Sequence, residues 1–290
     1  MIGIECDLDG RMIKPLPTRG KKPHLKHNVV RIATVVIASE GNYDNQSRLT
    51  LMREVIRYVA GIADVLVFPA GYYTTKGRPS THLESFAEQT RVMITSAKHE
   101  IIVCFGIDGR ATKDQVKDQV AFAIGANGII ASARKFQPTE DEDGFIDVAP
   151  GPFIGEGQYP RIFEIVGRRI FLAICYDSYG IRQRSLENPD INIVLNLVHK
   201  FNPRPEPCSS TQYFAMYGFA GASREWVCPT FGAAVFFNRP IPPRWPTGVL
   251  WNQGAKEIKS WKYSDNPLKP SQKFEIENAT EKALVKVYHL

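Results

Sequence analysis

The sequence predicts an α/β domain of layered, mixed sheets. Three observations carry that prediction. Short apolar runs rich in β-branched residues alternate with segments whose apolar residues fall at helical spacing. Strands outnumber helices, yet the helices are regularly interposed. No repeat, low-complexity tract or internal linker divides the 290 residues. The composition, 43% hydrophobic and 23% charged, is that of an ordinary globular chain and excludes a disordered or fibrous one. No run approaches the roughly eighteen apolar residues of a membrane-spanning helix.

Residues 1–28 carry Arg11, Lys14, Arg19, Lys21, Lys22 and Lys26 against Glu5, Asp7 and Asp9, with three prolines among them, and read as a solvated, irregular arm. The net charge of +6 permits an anionic partner without requiring one. No aromatic-interleaved basic stripe accompanies it, so nucleic acid is not an expected partner. VVRIATVVI at 29–37 is the first strand. Leu49, Met52, Ile56 and Val59 then mark a helix, with Asp44, Asn45 or Ser47 as its cap. DVLVFP at 64–69 is a second strand, stopped by Pro69. Residues 80–98 read as a helix in which Thr81 and Glu84 have capping-box spacing. EIIVCFG at 100–106 is a third strand. VAFAIGANGIIASARKF is a hairpin turning at Asn127-Gly128. An acidic segment, PTEDEDGFIDVAPG, separates it from two strands within 161–175 that join at Gly167. INIVLNL at 191–197 is a strand, and 209–225 a helix capped by Ser209 or Ser210. WVCPTFGAAVFF and TGVLW return to strand, and the polar tail from about 260 ends on an apolar run, ALVKVY. The organisation is therefore an arm at 1–28, one domain at 29–259 and a tail at 260–290.

The chemistry narrows by exclusion. The five cysteines are odd in number and without CxxC spacing, and the opening residues lack the apolar run of a signal peptide. A reducing cytoplasm and free thiols are expected. HExxH, GxxxxGK[ST] and GxSxG are all absent from the sequence, and neither a metal nor a cofactor is implied. Cys175 closes the strand FLAIC and precedes YDSYGIRQRS, which can start a helix. A nucleophile on such a strand-to-helix turn stands exposed beside backbone N–H groups that can hold an oxyanion. Singly, Cys175 is as readily a small buried hydrophobe, Lys135 a surface lysine, and Glu142 one of several solvated acids.

Together these residues resemble the nitrilase superfamily, the carbon–nitrogen hydrolases that include amidases, nitrilases and carbamoylases. The resemblance runs from about residue 29 to about 255. It rests on RIATVVIASEGNYDNQSRLTLMREVI, on the lysine motif ARKFQPTEDE and on FLAICYDSYG, whose Ile-Cys-Tyr-Asp tetrad is among the family's most specific signatures. It implies a four-layer α-β-β-α sandwich that dimerises, with C-terminal tails often wrapping the partner. It also implies that Cys175 is the nucleophile. Lys135, with the backbone N–H of Tyr176, would stabilise the oxyanion, Glu142 would position Lys135, and Asp177 would be a structural partner at the elbow. The physical chemistry agrees: a nearby ammonium lowers a thiol pKa from about 8.5 and then stabilises the charge on the attacked group.

One position departs from the family. Its general-base glutamate follows the second strand in a Phe-Pro-Glu context, whereas this chain reads DVLVFPAGYY and places Ala70 there. General acid–base catalysis contributes about 10²–10⁴-fold, or roughly 3–5 kcal/mol of barrier. The loss would fall hardest on hydrolysis of the acyl intermediate, because water needs a base. Ala70 is consistent with a non-hydrolytic member, with another carboxylate (Glu142, Glu140 or Asp177) in the role, or with an engineered substitution. His199 and Lys200, after INIVLNLV, and Tyr73 are candidates to line a substrate; Tyr72, Phe201 and Trp226 are further pocket candidates. The expected activity is hydrolysis of an amide, nitrile or carbamoyl group on a small molecule. A small-molecule or protein binding module and an acyltransferase are the alternatives.

Overall fold

Strand β1 (Arg31–Ser39) is buried on both faces, which is why its sequence is nearly continuous in apolar residues rather than alternating. The computed structural model describes residues 29–41, 44–79, 82–110, 117–202, 214–242, 245–251, 268–278 and 280–290. The basic arm, Cys6, Cys208 and the proposed caps Thr81, Ser209 and Ser210 lie outside them.

Helix α1 (Asn45–Val59) follows β1. Of the three candidate caps, Asp44 is the one used: its carboxylate accepts from Ser47 N at 2.7 Å while Ser47 Oγ accepts from Asp44 N at 3.2 Å. Next come β2 (Val65–Val67), β3 (Tyr73–Lys76), α2 (Leu83–Ser96), β4 (Ile102–Arg110), β5 (Lys117–Gly125) and β6 (Gly128–Arg134). The β5–β6 hairpin turns on Ala126-Asn127, one residue before the expected pair, and Gly128 takes the left-handed φ of 113° as it enters β6. A 3₁₀ turn at Glu140–Glu142, β7 (Ile146–Asp147), β8 (Ile162–Ile165) and β9 (Arg168–Ile174) follow, with Gly167 at the β8–β9 turn as its sequence indicates. The second half holds α3 (Asp177–Gln183), β10 (Ile193–Phe201), a π-helical turn at Phe214–Phe219 that runs into α4 (Ala220–Trp226), β11 (Thr230–Phe237), β12 (Gly248–Val249), β13 (Gln272–Glu277) and β14 (Glu281–His289).

The strands run in the order β6-β5-β4-β2-β1-β11-β10-β9-β8. Strand β1 is the branch point. Ile32–Thr34 pair with β2 and Val36–Ser39 with β11, both parallel, so two leaves diverge from one strand. Between the leaves lies one apolar layer. Val65 and Val67 of β2, Cys104 of β4 and Ala121, Ala123, Ala131 and Ala133 of the hairpin face Ile170, Leu172 and Ile174 of β9 and Ile193, Leu195 and Leu197 of β10. Alternate residues turn outward, as a strand's period of two requires. On one outer face, Ala33, Val35 and Ile37 pack under Leu49, Met52, Val55, Phe86 and Met93 of α1 and α2. On the other, Phe171, Ala173 and Val194 meet Ile181, Ala222 and Trp226 of α3 and α4. Three apolar layers between four structural layers make the α-β-β-α sandwich. Among the described residues no helix is long and apolar enough to cross a membrane.

Candidate active site

The site forms where three strand ends and one hairpin end meet. Strand β9 stops at Ile174, and Cys175 takes a left-handed φ of 50° before α3 begins at Asp177. For a residue with a Cβ that conformation is uncommon and costs of order 1–3 kcal/mol. Neighbouring bonds hold it. Cys175 N donates to Leu197 O of β10 at 2.8 Å, and Cys175 O accepts from Asn196 Nδ2 and Ser178 Oγ, both at 3.1 Å.

Asp177 clasps this turn to the end of the β5–β6 hairpin. Its buried carboxylate accepts from the N–H groups of Ile174 at 3.0 Å, Phe136 at 2.8 Å and Gln137 at 2.9 Å, and from Arg161 Nη2 at 2.5 Å. The Arg161 guanidinium is itself buried against the rings of Phe136 and Phe171. Burial pushes the Asp177 carboxyl up, and Arg161 with the three N–H groups offsets only part of that, so it stays above its ordinary value.

That clasp fixes Lys135, the residue before Phe136. Lys135 is 1% exposed, and its Nζ sits 2.5 Å from Glu142 Oε2. Glu142 reaches back because Thr139 caps the 3₁₀ turn: Oε2 accepts from Thr139 N at 3.0 Å and Oε1 from Gln119 Nε2 at 3.1 Å. Burial pushes Glu142 up, but Lys135 and these donors hold it down at about 2. Burial lowers Lys135, and the Cys175 thiol and Glu142 more than restore it, so it stays an ammonium above its ordinary pKa.

His199 and Asp108 complete the cluster. Strand β4 does not stop at Gly106. It continues to Arg110 because β3 pairs with it on one side and β5 on the other, so Asp108 stands in register with Thr74 and Gln119. Strand β10 likewise runs past Leu197, with a bulge between Leu197 and Lys200 that re-aims His199. Asp108 Oδ1 lies 3.0 Å from His199 Nε2, and Oδ2 lies 3.6 Å from Lys117 Nζ. The bond from Cys175 N to Leu197 O sets the cysteine beside the strand end that carries His199, and the thiol and the ring interact electrostatically. Burial pushes the thiol up; His199, then Lys135, bring it below its ordinary value. Burial lowers His199, and Asp108 and Cys175 raise it to about 9.

The structure thus brings together Cys175, Lys135, Glu142, Asp177 and His199. Ala70 is buried beside them in the layer between the leaves, where Cys175 also packs. Tyr73 is corrected: it is fully buried, its ring stacked 4.4 Å from Phe86 under α2, so it belongs to an outer core and lines no substrate space. Tyr72 is also core, donating to Arg48 O at 2.7 Å, and Trp226 donates to Leu186 O at 2.8 Å. Phe201 joins an aromatic cluster with Phe214, Phe236 and Trp245. Lys200 is exposed, over Phe237. Asp108 is the residue that the sequence reading missed. Its one signal was an acid two residues after the apolar run IIVCFG, with a further glycine beyond it.

No protein-family model matches the chain, and no curated protein matches it in sequence. Solved structures do match. A doubly substituted variant of the amidase from Nesterenkonia sp. AN1, in complex with acrylamide, superposes with a TM-score of 0.57 at 15% identity, covering 93% of each chain. A cysteine-to-serine variant of that amidase, described as from the nitrilase superfamily, gives 0.56 at 15% identity over 89% of this chain and 90% of its own. A glutamate-to-leucine variant carrying the acetamide moiety of fluoroacetamide on its active-site cysteine gives 0.57 at 15% identity over 93% of each chain. The chain has the fold of the nitrilase-superfamily amidases.

Proposed function

We propose that the chain is a cysteine-dependent hydrolase of nitrilase-superfamily type that cleaves a non-peptide C–N bond, in an amide, nitrile or carbamoyl group, through a thioester-type intermediate on Cys175. The observation that carries this reading is the left-handed Cys175 elbow with the buried Lys135, paired to the half-buried Glu142, beside it. In this reading the Cys175 thiolate attacks the carbon. Lys135, with the Tyr176 N–H, meets the negative charge that develops on the attacked oxygen or nitrogen. Glu142 keeps the ammonium in place. The covalent intermediate divides one difficult hydrolysis into two easier steps.

The similar Nesterenkonia amidase supports the substrate class. One of its structures holds acrylamide, and another carries the acetamide of fluoroacetamide on the active-site cysteine. Intact-mass spectrometry after incubation with amides, nitriles, N-carbamoyl compounds and fluoroacetamide tests the reading. The expected result is an adduct or product that maps to Cys175 and vanishes in Cys175→Ala. Across that panel, no adduct, no product and a thiol slow toward alkylating agents would leave a binding module as the better description.

A further inference from the structure

We infer that His199, oriented by Asp108, is the general acid and base for Cys175, so that three strands of the sandwich carry a Cys175–His199–Asp108 triad. This rests on the cysteine-hydrolase reading and answers what that reading leaves open with Ala70. Each member comes from a different strand end: Asp108 from β4 in one leaf, His199 from the bulge of β10 and Cys175 from the end of β9 in the other. Asp108 Oδ1 takes one ring nitrogen, Nε2, at 3.0 Å. The other, Nδ1, is buried with no hydrogen-bond partner, and Cys175, bonded through its N–H to Leu197 O two residues before His199, is the nucleophile that interacts with the ring. The local backbone is shaped to this pair. A Cβ on Gly71, whose φ is 58°, would lie 2.9 Å from Asp108 Oδ2 and 3.2 Å from His199 Cδ2.

The other candidate bases are committed elsewhere. Glu142 is bound by Lys135, Thr139 N–H and Gln119 and is held at about 2, far too low for a base near neutral pH. Asp177 is buried under four donors, and Glu140 is exposed on its 3₁₀ turn. Among the described residues, the groups facing the triad are Lys117 at Asp108, and Lys135, with Glu142 behind it, and Tyr179 at Cys175. The thiol is lowered and His199 is raised to about 9, and both directions favour the thiolate–imidazolium form of the pair.

The cycle balances on these groups. The thiolate forms the C–S bond. As the C–N bond breaks, the imidazolium gives its Nδ1 proton to the departing nitrogen, leaving a thioester and a neutral ring. Water then attacks the thioester carbon and its proton passes to Nδ1. The C–S bond breaks, the acid leaves, and thiolate and imidazolium are restored.

p-Nitrophenyl acetate is the probe, because its leaving group departs without a proton. Wild type should turn over. His199→Gln should give a stoichiometric burst and then stall, with an acetyl group persisting on Cys175 by intact mass and deacylation slower by about 10²–10⁴-fold. Cys175→Ala should give neither burst nor adduct. Steady turnover by His199→Gln within a few-fold of wild type, beside an inert Cys175→Ala, would overturn the triad and leave the nucleophile standing. So would a wild-type acetyl adduct that lasts as long as the variant's. No burst in wild type would remove the nucleophile reading and the triad with it. Asp108→Asn supplies an independent readout should His199→Gln fail to fold. Deacylation after the p-nitrophenyl acetate burst should quicken with pH as His199 loses its proton, and in Asp108→Asn that limb should move to lower pH once the carboxylate that raises His199 is gone. An unmoved limb would overturn the role of Asp108 as positioning residue.

Discussion

Three described cysteines sit in the same fold and are chemically unlike. Cys104 and Cys228 lie in apolar layers where burial alone acts, and Cys228 is pushed up to about 12. Cys175 is also enclosed, but His199 and Lys135 overcome that burial. Iodoacetamide near neutral pH should therefore modify Cys175 first, and peptide mapping checks the order. In Lys135→Met the ammonium is gone, so alkylation of Cys175 at fixed pH should slow and its profile move to higher pH. If Lys135 is the oxyanion donor proposed above, any amide turnover should fall by about 10²–10³-fold. Glu142 carries a stability signature as well. Its folded pKa of about 2 lies below the ordinary 4.5, so its contribution is fully present above 4.5 and is lost as pH falls toward 2. Urea unfolding of wild type between those limits should show a loss of stability that Glu142→Gln shows less of.

At the scale of elements, the part of the site that was legible is the part made by local sequence. The elbow follows from a strand that ends directly before Cys175. The seven-residue step from Lys135 to Glu142 closes because one capped turn reverses the chain between them. The rest depends on pairing partners far away in sequence. Gly106 and Leu197 read as strand ends, but β3 extends β4 to carry Asp108, and the bulge in β10 turns a loop-like His199 toward the cysteine. Tyr73 misled for the same reason: the short strand β3 has no apolar run to announce it, and its pairing with β4 sends the ring into the core. Asp177 joins what was legible to what was not, since its one carboxylate holds both the elbow and the lysine strand. In Asp177→Asn, Arg161 keeps its bond to Leu172 O but loses its counter-charge inside the protein. A destabilisation of about 3–5 kcal/mol is expected. It should appear as a lower urea midpoint at unchanged slope, and Cys175 should become indistinct from the other thiols in alkylation rate.

For the molecule as a whole, the decisive strand is β1, because both leaves and the C-terminal hairpin meet on it. Strand β14 runs antiparallel along its entire length, from Arg31 opposite His289 to Ser39 opposite Glu281, and buries Ala283, Val285 and Val287 under α1. The described part of the tail is thus a structural strand of its own chain. A buried ion pair pins the far end: Arg48 Nη2 of α1 lies 3.1 Å from Glu281 Oε1, with side chains 1% and 0% exposed. Arg48 also donates to Tyr72 O at 2.6 Å, which ties the pair to the segment that follows β2 and carries Gly71 toward Asp108 and His199. Glu281→Ala removes one partner of a buried pair and leaves a cavity beside the arginine, so it should cost about 3–5 kcal/mol. Glu281→Gln keeps a hydrogen-bond acceptor and the volume, and it should cost less. Because Gly71 O accepts from the same arginine at 3.2 Å, the alanine variant should also weaken the Asp108–His199 contact. In the cysteine alkylation profile that appears as a shift toward higher pH, measured well below the melting temperature. A melting point lowered with the alkylation profile unmoved would mean that the hairpin stabilises β1 without any hold on the site.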